Sequence, residues 1–407
     1  MNTTERLYYA DSHLKEFDAR VVSVAQAADG RTGVTLDRTA FYPTGGGQPS
    51  DTGALNDARV VECVDEEESG VLHILEGANS LAVGASVRGR VDWERRRDHL
   101  QQHTGQHILS QAFVKLFDAE TRGFRMSQHV SEIDVALGEP SDARIEEAVA
   151  LANRIIWENR PLVVRQVTAE EAAALPLRKD SAREGELRII EIEDFDMSPC
   201  GGTHAKRTGE VGVVAVRSWE RAKGLTRLEF VAGNRAHADY RLANTTARGV
   251  AALFSVGRDE SVAAVERLLE EHKQLVRRTR ALEELAAKVE AAELLEGAAR
   301  RESDGARIVA RIFEGRDAET LRRLAHAIVA HAQTVALVAA LEGDNARLVF
   351  ARAAGVDADM NALMRAACAP HGWRGGGRPD MAQGGGRADA AQLAAVIRET
   401  HARLIER

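Results

Sequence analysis

The chain has 407 residues, 44% of them hydrophobic and 29% charged, with a formal net charge of -8. That is the composition of a soluble protein with room for two to four domains. No apolar run approaches the ~20 residues a membrane crossing needs, and the acidic balance argues against a general nucleic-acid binder. The three cysteines, Cys63, Cys200 and Cys368, are too few and too scattered for a disulfide framework and fit a reducing compartment. The opening "MNTTERLYYADSH" lacks a basic start and an apolar core of its own, so no secretory signal is read there. A cytoplasmic location is expected.

Residues 1–92 read as β-rich. Short Val- and Leu-rich runs such as "DARVVSVAQ", "ARVVECVD" and "GVLHILEG" are spaced as in a small barrel. From Asp92 the pattern becomes helical: Leu100, His103, His107, Ser110, Val114 and Phe117 recur at spacings of three and four. A second helix, "SDARIEEAVALANRIIWENR", opens on the capping residues Ser141 and Asp142. Strand-like runs follow, so 93–245 reads as a mixed α+β block. Over 258–300, Leu268, Leu275, Leu282 and Val289 repeat every seven residues, one seam of a coiled coil. The companion seam, Val265, His272, Thr279 and Ala286, is weak, so a helical hairpin or a partner helix is expected. Residues 305–407 alternate strand and helix patterns and read as a small α/β domain. Its segment "GWRGGGRPDMAQGGGRAD" reads as a loop.

The chemistry concentrates in two places. "HLQQHTGQH" sets His99, His103 and His107 four residues apart on one helix face. "PCGGTH" sets Cys200 and His204 around a turn that Pro199, Gly201 and Gly202 allow. Imidazole and thiolate suit Zn²⁺. Each motif alone also suits buried helix histidines or a small buried cysteine; together they favour a metal held by His103, His107, Cys200 and His204. Three successive turns cannot all reach one ion, so His99 is expected to be supporting or structural. No acid lies within His-Thr-Gly-Gln-His, which argues against the H-E-x-x-H peptidase pattern. Four closed ligands would make the metal structural; one loose ligand would make it reactive.

A third motif, "FYPTGGGQ", strips the backbone at Gly45, Gly46 and Gly47 beside Gln48. Its N–H groups are candidates to face a developing oxyanion. The basic run "RGRVDWERRR", with Arg88, Arg95, Arg96 and Arg97, is either a solvated strand–helix junction or a phosphate-contacting patch.

In this order, "FYPTGGGQ", "DWERRRDHLQQHTGQH", "CGGTHAKRTGEVG" and "TRLEFVAGNRA" resemble the editing module of alanyl-tRNA synthetase and the free-standing AlaX-type trans-editing proteins. "GGGRPDMAQGGG" resembles the DHHA1 domain. The resemblance implies an α+β fold with four parts. These are an N-terminal β-barrel (1–92), an α+β zinc-containing editing core (93–245), a coiled-coil-like helical spacer (258–300) and a C-terminal α/β DHHA1-like domain (305–407). It implies hydrolysis of the ester in tRNA(Ala) mischarged with serine or glycine, in trans, with zinc on His103, His107, Cys200 and His204. Gly45, Gly46, Gly47 and Gln48, with Thr44, would position substrate. Arg125 and Ser127 are candidates for the amino-acid pocket. Arg88, Arg95, Arg96, Arg97, Arg374, Arg378 and Arg387 are candidate tRNA contacts. A tRNA-binding module with a purely structural zinc is the alternative. Synthetase activity is not expected, nor is DHH-type phosphoesterase activity, since no Asp-His-His triplet occurs. The weak second seam leaves a monomer and a homodimer equally open.

Overall fold

The computed structural model describes residues 4–406 except 28–29, 67–68, 78–80 and 180–184. The chain divides into two compact units, Met1–Val250 and Ala251–Arg407. Together they form a mixed α+β protein.

In the first unit, six strands pair in a closed ring. Its order is Glu16–Gln26, Thr32–Leu36, Gly70–Leu75, Ala58–Glu66, Gly53–Leu55 and Ser86–Val91, and the last pairs back to the first. Alternation drives this: in Ser86–Val91 every second residue is buried, because successive strand side chains point to opposite faces. Phe17, Val21, Val34, Leu55, Val60 and Val87 meet inside.

Helix α1 (Trp93–Phe117) leaves the ring, with the Asp92 carboxylate accepting from Arg95 N–H at its start. It buries nearly every side chain from His99 to Ser110. Ile108, Leu109 and Phe113 pack with Ile145, Ala148 and Ile156 of α2 (Asp142–Trp157) on a four-stranded antiparallel sheet. That sheet runs Val214–Ala222, Leu225–Ala232, Ser131–Val135, Thr121–Met126. A separate three-stranded sheet, Leu162–Thr168, Glu186–Ile192 and Asp196–Pro199, surrounds the short α3 (Ala169–Ala173) in sequence and delivers Cys200 from its last strand. Helix α4 (Gly233–Leu253) follows the strand Leu225–Ala232.

The second unit is a six-stranded sheet with helices on both faces. Strand Thr334–Glu342 is apolar almost throughout because it serves two cores. Val335, Leu337 and Ala339 face α7 (Met360–Cys368) and α8 (Ala390–Ile405), whereas Ala336, Val338 and Ala340 face α5 (Ser261–Glu296) and α6 (Ala318–Val329).

Two expectations are corrected here. The glycine-rich segment is a hairpin, not a loop: Arg374–Gly377 pairs with Met381–Arg387 at the sheet edge. Its glycines allow α7 to approach closely, since a Cβ on Gly375 would lie 2.7 Å from Cys368 Sγ and one on Gly384 2.6 Å from Met364 Sδ. Of the two alternatives for the seven-residue seam, the hairpin within 258–300 is replaced by one 36-residue helix with a partner helix, α6. The helix packs on α6 and the sheet through Ala291 and Leu295, while Leu268, Leu275, Leu282 and Val289 stay 50–62% exposed. Among the described residues no helix is long and apolar enough to cross a membrane.

Candidate metal centre

Position on α1 brings His103 and His107 to one face, a turn apart. Strand pairing brings the other half. Asp196–Pro199 pairs antiparallel with Glu186–Ile192, Ile189 opposite Pro199, and the next amide, Cys200 N–H, donates to Arg188 O at 3.0 Å. The chain then turns through Gly201 and Gly202 to return His204 to the same spot.

One potential ligand atom from each of His103, His107, Cys200 and His204 lies within 4.8 Å of the others. Cys200 Sγ is 3.3 Å from Nε2 of both His103 and His204. His107 and His204 have ring centroids 4.6 Å apart, as do His103 and His204.

Each ring is held from behind. Nδ1–H of His103 donates to Gln48 Oε1 at 2.7 Å. Nδ1 of His107 faces Asp196 Oδ2 at 3.3 Å, and Nδ1 of His204 faces Thr104 Oγ1 at 3.3 Å. At His107 Nδ1 the Asp196 carboxylate is joined by the donor Arg178 Nη2 at 3.3 Å, and the Thr104 hydroxyl can donate to or accept from His204. The Gln48 acceptor sets the His103 proton on Nδ1 and leaves its Nε2 lone pair directed inward. Metal-binding histidines are oriented in the same way. Asp196 is itself fixed by Ser198 Oγ–H at 3.0 Å and by Arg178 Nε–H at 3.0 Å.

The ionisation states agree. Burial alone would raise the Cys200 thiol, but His103 and His204 beside it hold it well below its ordinary pKa. Burial pushes His204 down to about 3. A thiolate beside the neutral His204 imidazole is the protonation state that metal ligation requires. At His107 burial lowers the pKa, but the Asp196 carboxylate and Cys200 beside it outweigh that and raise it. The turn packs tightly against one ring: a Cβ on Gly202 would lie 2.2 Å from His103 Cε1. The donor set of three imidazoles and one thiolate suits tetrahedral Zn²⁺.

His103, His107 and Cys200 line a cavity of about 700 Å³, with His204 behind them. Thr44, Gly45 and Gly46 line it from the glycine turn, Phe124 from the strand Thr121–Met126, and Tyr9 and Arg188 from beside the Cys200–Gly202 turn.

The sequence-derived candidates fall into place unevenly. Gln48 is buried to 1% exposure. Its amide group bridges His103 and Thr203, with Nε2–H donating to Thr203 Oγ1 at 2.9 Å. It therefore orients a ligand from behind and does not face the cavity. The amides of Gly45 and Gln48 are consumed within the turn, each donating to the other's carbonyl at 2.9–3.0 Å. Among the three glycines Gly45 and Gly46 line the cavity and Gly47 does not.

Arg125 and Ser127 do not line the cavity. Side chains alternate along the strand. Phe124 packs its ring 5.3 Å from that of His103, while Arg125 is exposed and pairs with Glu132. The Ser127 carbonyl accepts from Arg235 Nη1 at 2.7 Å.

Arg96 is corrected outright. It is fully buried and bonds both oxygens of Asp51, Nε at 3.1 Å to each, with Nη1 on Ser12 O. A side chain so enclosed cannot meet a phosphate. Arg95 is tied by Nε to Ser50 O at 2.9 Å. Arg88, Arg97, Arg374, Arg378 and Arg387 are exposed. Arg88, Arg378 and Arg387 pair with Glu16, Asp380 and Asp344. His99 is buried with Nδ1 4.0 Å from Asp51 Oδ1 and stands outside the four-residue cluster.

Residues missed from sequence are Tyr9, Asp196, Thr104, Phe124 and Arg188. Asp196 had a faint signal, a carboxylate four residues before Cys200 in a strand-like run. The others carry no spacing that marks them.

Three family models match parts of the chain: "tRNA synthetases class II (A)" over residues 2–95, "Threonyl and Alanyl tRNA synthetase second additional domain" over 187–229, and "DHHA1 domain" over 304–405. The second match contains Cys200 and His204. The alanyl-tRNA editing protein AlaX-L of Pyrococcus horikoshii is 42% identical over 239 residues, covering 57% of this chain and 59% of that protein. The chain is similar to the AlaX-type alanyl-tRNA editing proteins over that stretch. It is also similar to the alanine–tRNA ligase of Pyrobaculum neutrophilum, 33% identical over 418 residues, covering 97% of this chain and 44% of the ligase. The match thus spans less than two thirds of either relative's length. A solved C-Ala domain of Aquifex aeolicus alanyl-tRNA synthetase is 24% identical, with a TM-score of 0.21, over 23% of this chain and 89% of that one.

Proposed function

We propose that the protein hydrolyses the ester linking a wrong amino acid to tRNA(Ala), acting in trans, in the cytoplasm, with serine as the chief amino acid and glycine as a second. The observation that carries this reading is the convergence of His103, His107, Cys200 and His204, the first three of them on the wall of an open cavity. A closed structural site would sit inside packed protein, whereas this one borders a space of about 700 Å³, large enough for an aminoacyl nucleoside.

His103, His107, Cys200 and His204 would hold Zn²⁺. Bound there, the ion supplies Lewis acidity and lowers the pKa of a bound water. The chain's own groups do the rest. Gln48, Asp196 and Thr104 fix the imidazoles from behind. The Gly45–Gly46 backbone forms the cavity edge where a small amino acid and its ester carbonyl would lie, with Thr44 Oγ1 beside it as the polar group for a serine hydroxyl. Positioning an already activated ester beside water supplies much of the remaining acceleration. The exposed arginines Arg88, Arg97, Arg374, Arg378 and Arg387 are candidates for contacts to the RNA backbone. The division into barrel, core, helical spacer and DHHA1-like domain remains part of this proposal, as does the choice between monomer and homodimer.

Incubation with Ser-tRNA(Ala) and Gly-tRNA(Ala) tests the reading: serine is released well above the buffer rate, and release at the buffer rate overturns it. Four donors can also close around a structural ion, which is the competing reading of a tRNA-binding module. Cys200→Ala decides. Lost hydrolysis with folding and tRNA binding retained supports the hydrolase; global unfolding supports the structural ion.

A further inference from the structure

Arg188 is the unusual cation of the cavity. Of the arginines lining it, Arg6 pairs with Asp65 at 2.6 Å, Arg122 with Glu120 at 2.9 Å and Arg178 with Asp196 at 3.0 Å. Arg188 pairs with no carboxylate among the described residues. Its bonds go to neutral carbonyls: Nη1 to Cys200 O at 2.7 Å and Gly202 O at 2.9 Å, Nε to Tyr9 O at 3.2 Å. Its Nη2 is buried with no hydrogen-bond partner. The Cys200 thiolate is the anion acting most on this cation, but the Nη2 N–H stays unpaired. Leaving a buried guanidinium N–H without an acceptor is unfavourable unless a ligand completes the site.

The other wall beside it is aromatic. The Arg188 guanidinium lies 5.4 Å from the centre of the Tyr9 ring, and Tyr9 meets Tyr8 edge-on at 4.9 Å. An unpaired planar cation next to an aromatic surface suits a nucleotide: phosphate for the cation and base for the rings. A free amino acid's ammonium would be repelled from the same place.

We infer that Arg188 binds the phosphate of the terminal nucleotide of the RNA substrate, beside the Tyr9 ring, so that the ester on that nucleotide's ribose reaches the His103–Cys200 wall. The inference deepens the reading above and depends on it for the identity of the ligand as a tRNA end. Arg188 thereby joins two tasks: Nη1 holds the Cys200–Gly202 turn, and Nη2, enclosed in this structure, meets the phosphate once the guanidinium or the Tyr9 ring shifts to open it.

The test is calorimetric titration of the full-length protein with adenosine 5′-monophosphate and with adenosine. The monophosphate binds the unaltered protein about 10- to 100-fold more tightly, the range of a charge-assisted hydrogen bond, and Arg188→Gln closes that gap. Equal affinity of the two ligands for the unaltered protein, or a gap that survives Arg188→Gln, overturns the inference. The comparison on unaltered protein stands even if Arg188→Gln fails to fold, and Arg188→Lys, which keeps the charge without the fork, retains part of the gap. A gap without serine release defeats the proposed hydrolase but not the nucleotide site; serine release without a gap does the reverse.

Discussion

The side-chain carbonyl of Gln48 lies 2.7 Å from Nδ1 of His103. Through this bond the glycine turn, delivered by the strand ring, sets the orientation of an imidazole on α1. The same amide also bonds Thr203, next to His204. One buried side chain therefore registers three segments distant in sequence.

Gln48→Leu removes the acceptor while keeping much of the volume. Zinc affinity is expected to fall about 10- to 100-fold, the usual effect of deleting an outer hydrogen-bond partner of a metal-binding histidine. Competition against a chromophoric chelator measures it. Unchanged affinity would mean that packing alone orients His103.

Gly202→Ala forces a methyl group to within 2.2 Å of His103 Cε1. The ring or the turn must shift, so bound zinc per chain is expected to drop below half and thermal stability to fall by ~1–3 kcal/mol, the range for overpacking. Elemental analysis beside a denaturation curve checks both.

Asp51→Asn leaves Arg96 buried without its counter-ion. Breaking a buried pair from one side is expected to destabilise the first unit by ~3–5 kcal/mol. Asp51 also accepts from Tyr42 N–H at 2.6 Å, so the glycine turn should loosen too. Arg88→Gln, at an exposed pair with Glu16, should change stability by less than ~0.5 kcal/mol. Equal losses from the two would contradict the burial argument.

These contrasts show what the sequence made legible. The His103–His107 pair and the Cys200–His204 turn could be read because helix and turn spacings are local. Arg96 could have been separated from its basic neighbours by the same logic, since it lies three and seven residues before His99 and His103 on the buried face of α1. Asp196 and Arg188 could not be read: their roles arise from antiparallel pairing that sets residue 188 beside residue 200, and pairing register is not local information. The seven-residue spacing of Leu268 through Val289 gave the helix correctly but not its environment, because a seam says nothing about what covers it. The glycine-rich hairpin misled because glycine usually marks turns, whereas here it marks close approach of α7.

His73 makes stability depend on pH. It is fully buried in the ring, its Nδ1–H donating to Val34 O at 2.9 Å and its Nε2 accepting from Thr39 Oγ1 at 2.8 Å. Burial lowers its pKa from 6.5 to about 4. Between these values the unfolded chain binds a proton that the folded chain refuses. Its contribution is therefore complete above pH 6.5 and is lost as pH falls towards 4, by ~3 kcal/mol in all. Urea unfolding across pH 4–7 should show this slope, and His73→Asn should reduce it by up to one proton. A slope unaffected by that substitution would remove His73 from the account.

X-ray absorption at the zinc edge of the purified protein tests the central claim most directly. The account predicts one ion per chain with one sulfur near 2.3 Å and the remaining scatterers, imidazole nitrogens and a water oxygen, near 2.0–2.1 Å. A spectrum without sulfur, or with two or more sulfurs per zinc, would contradict it.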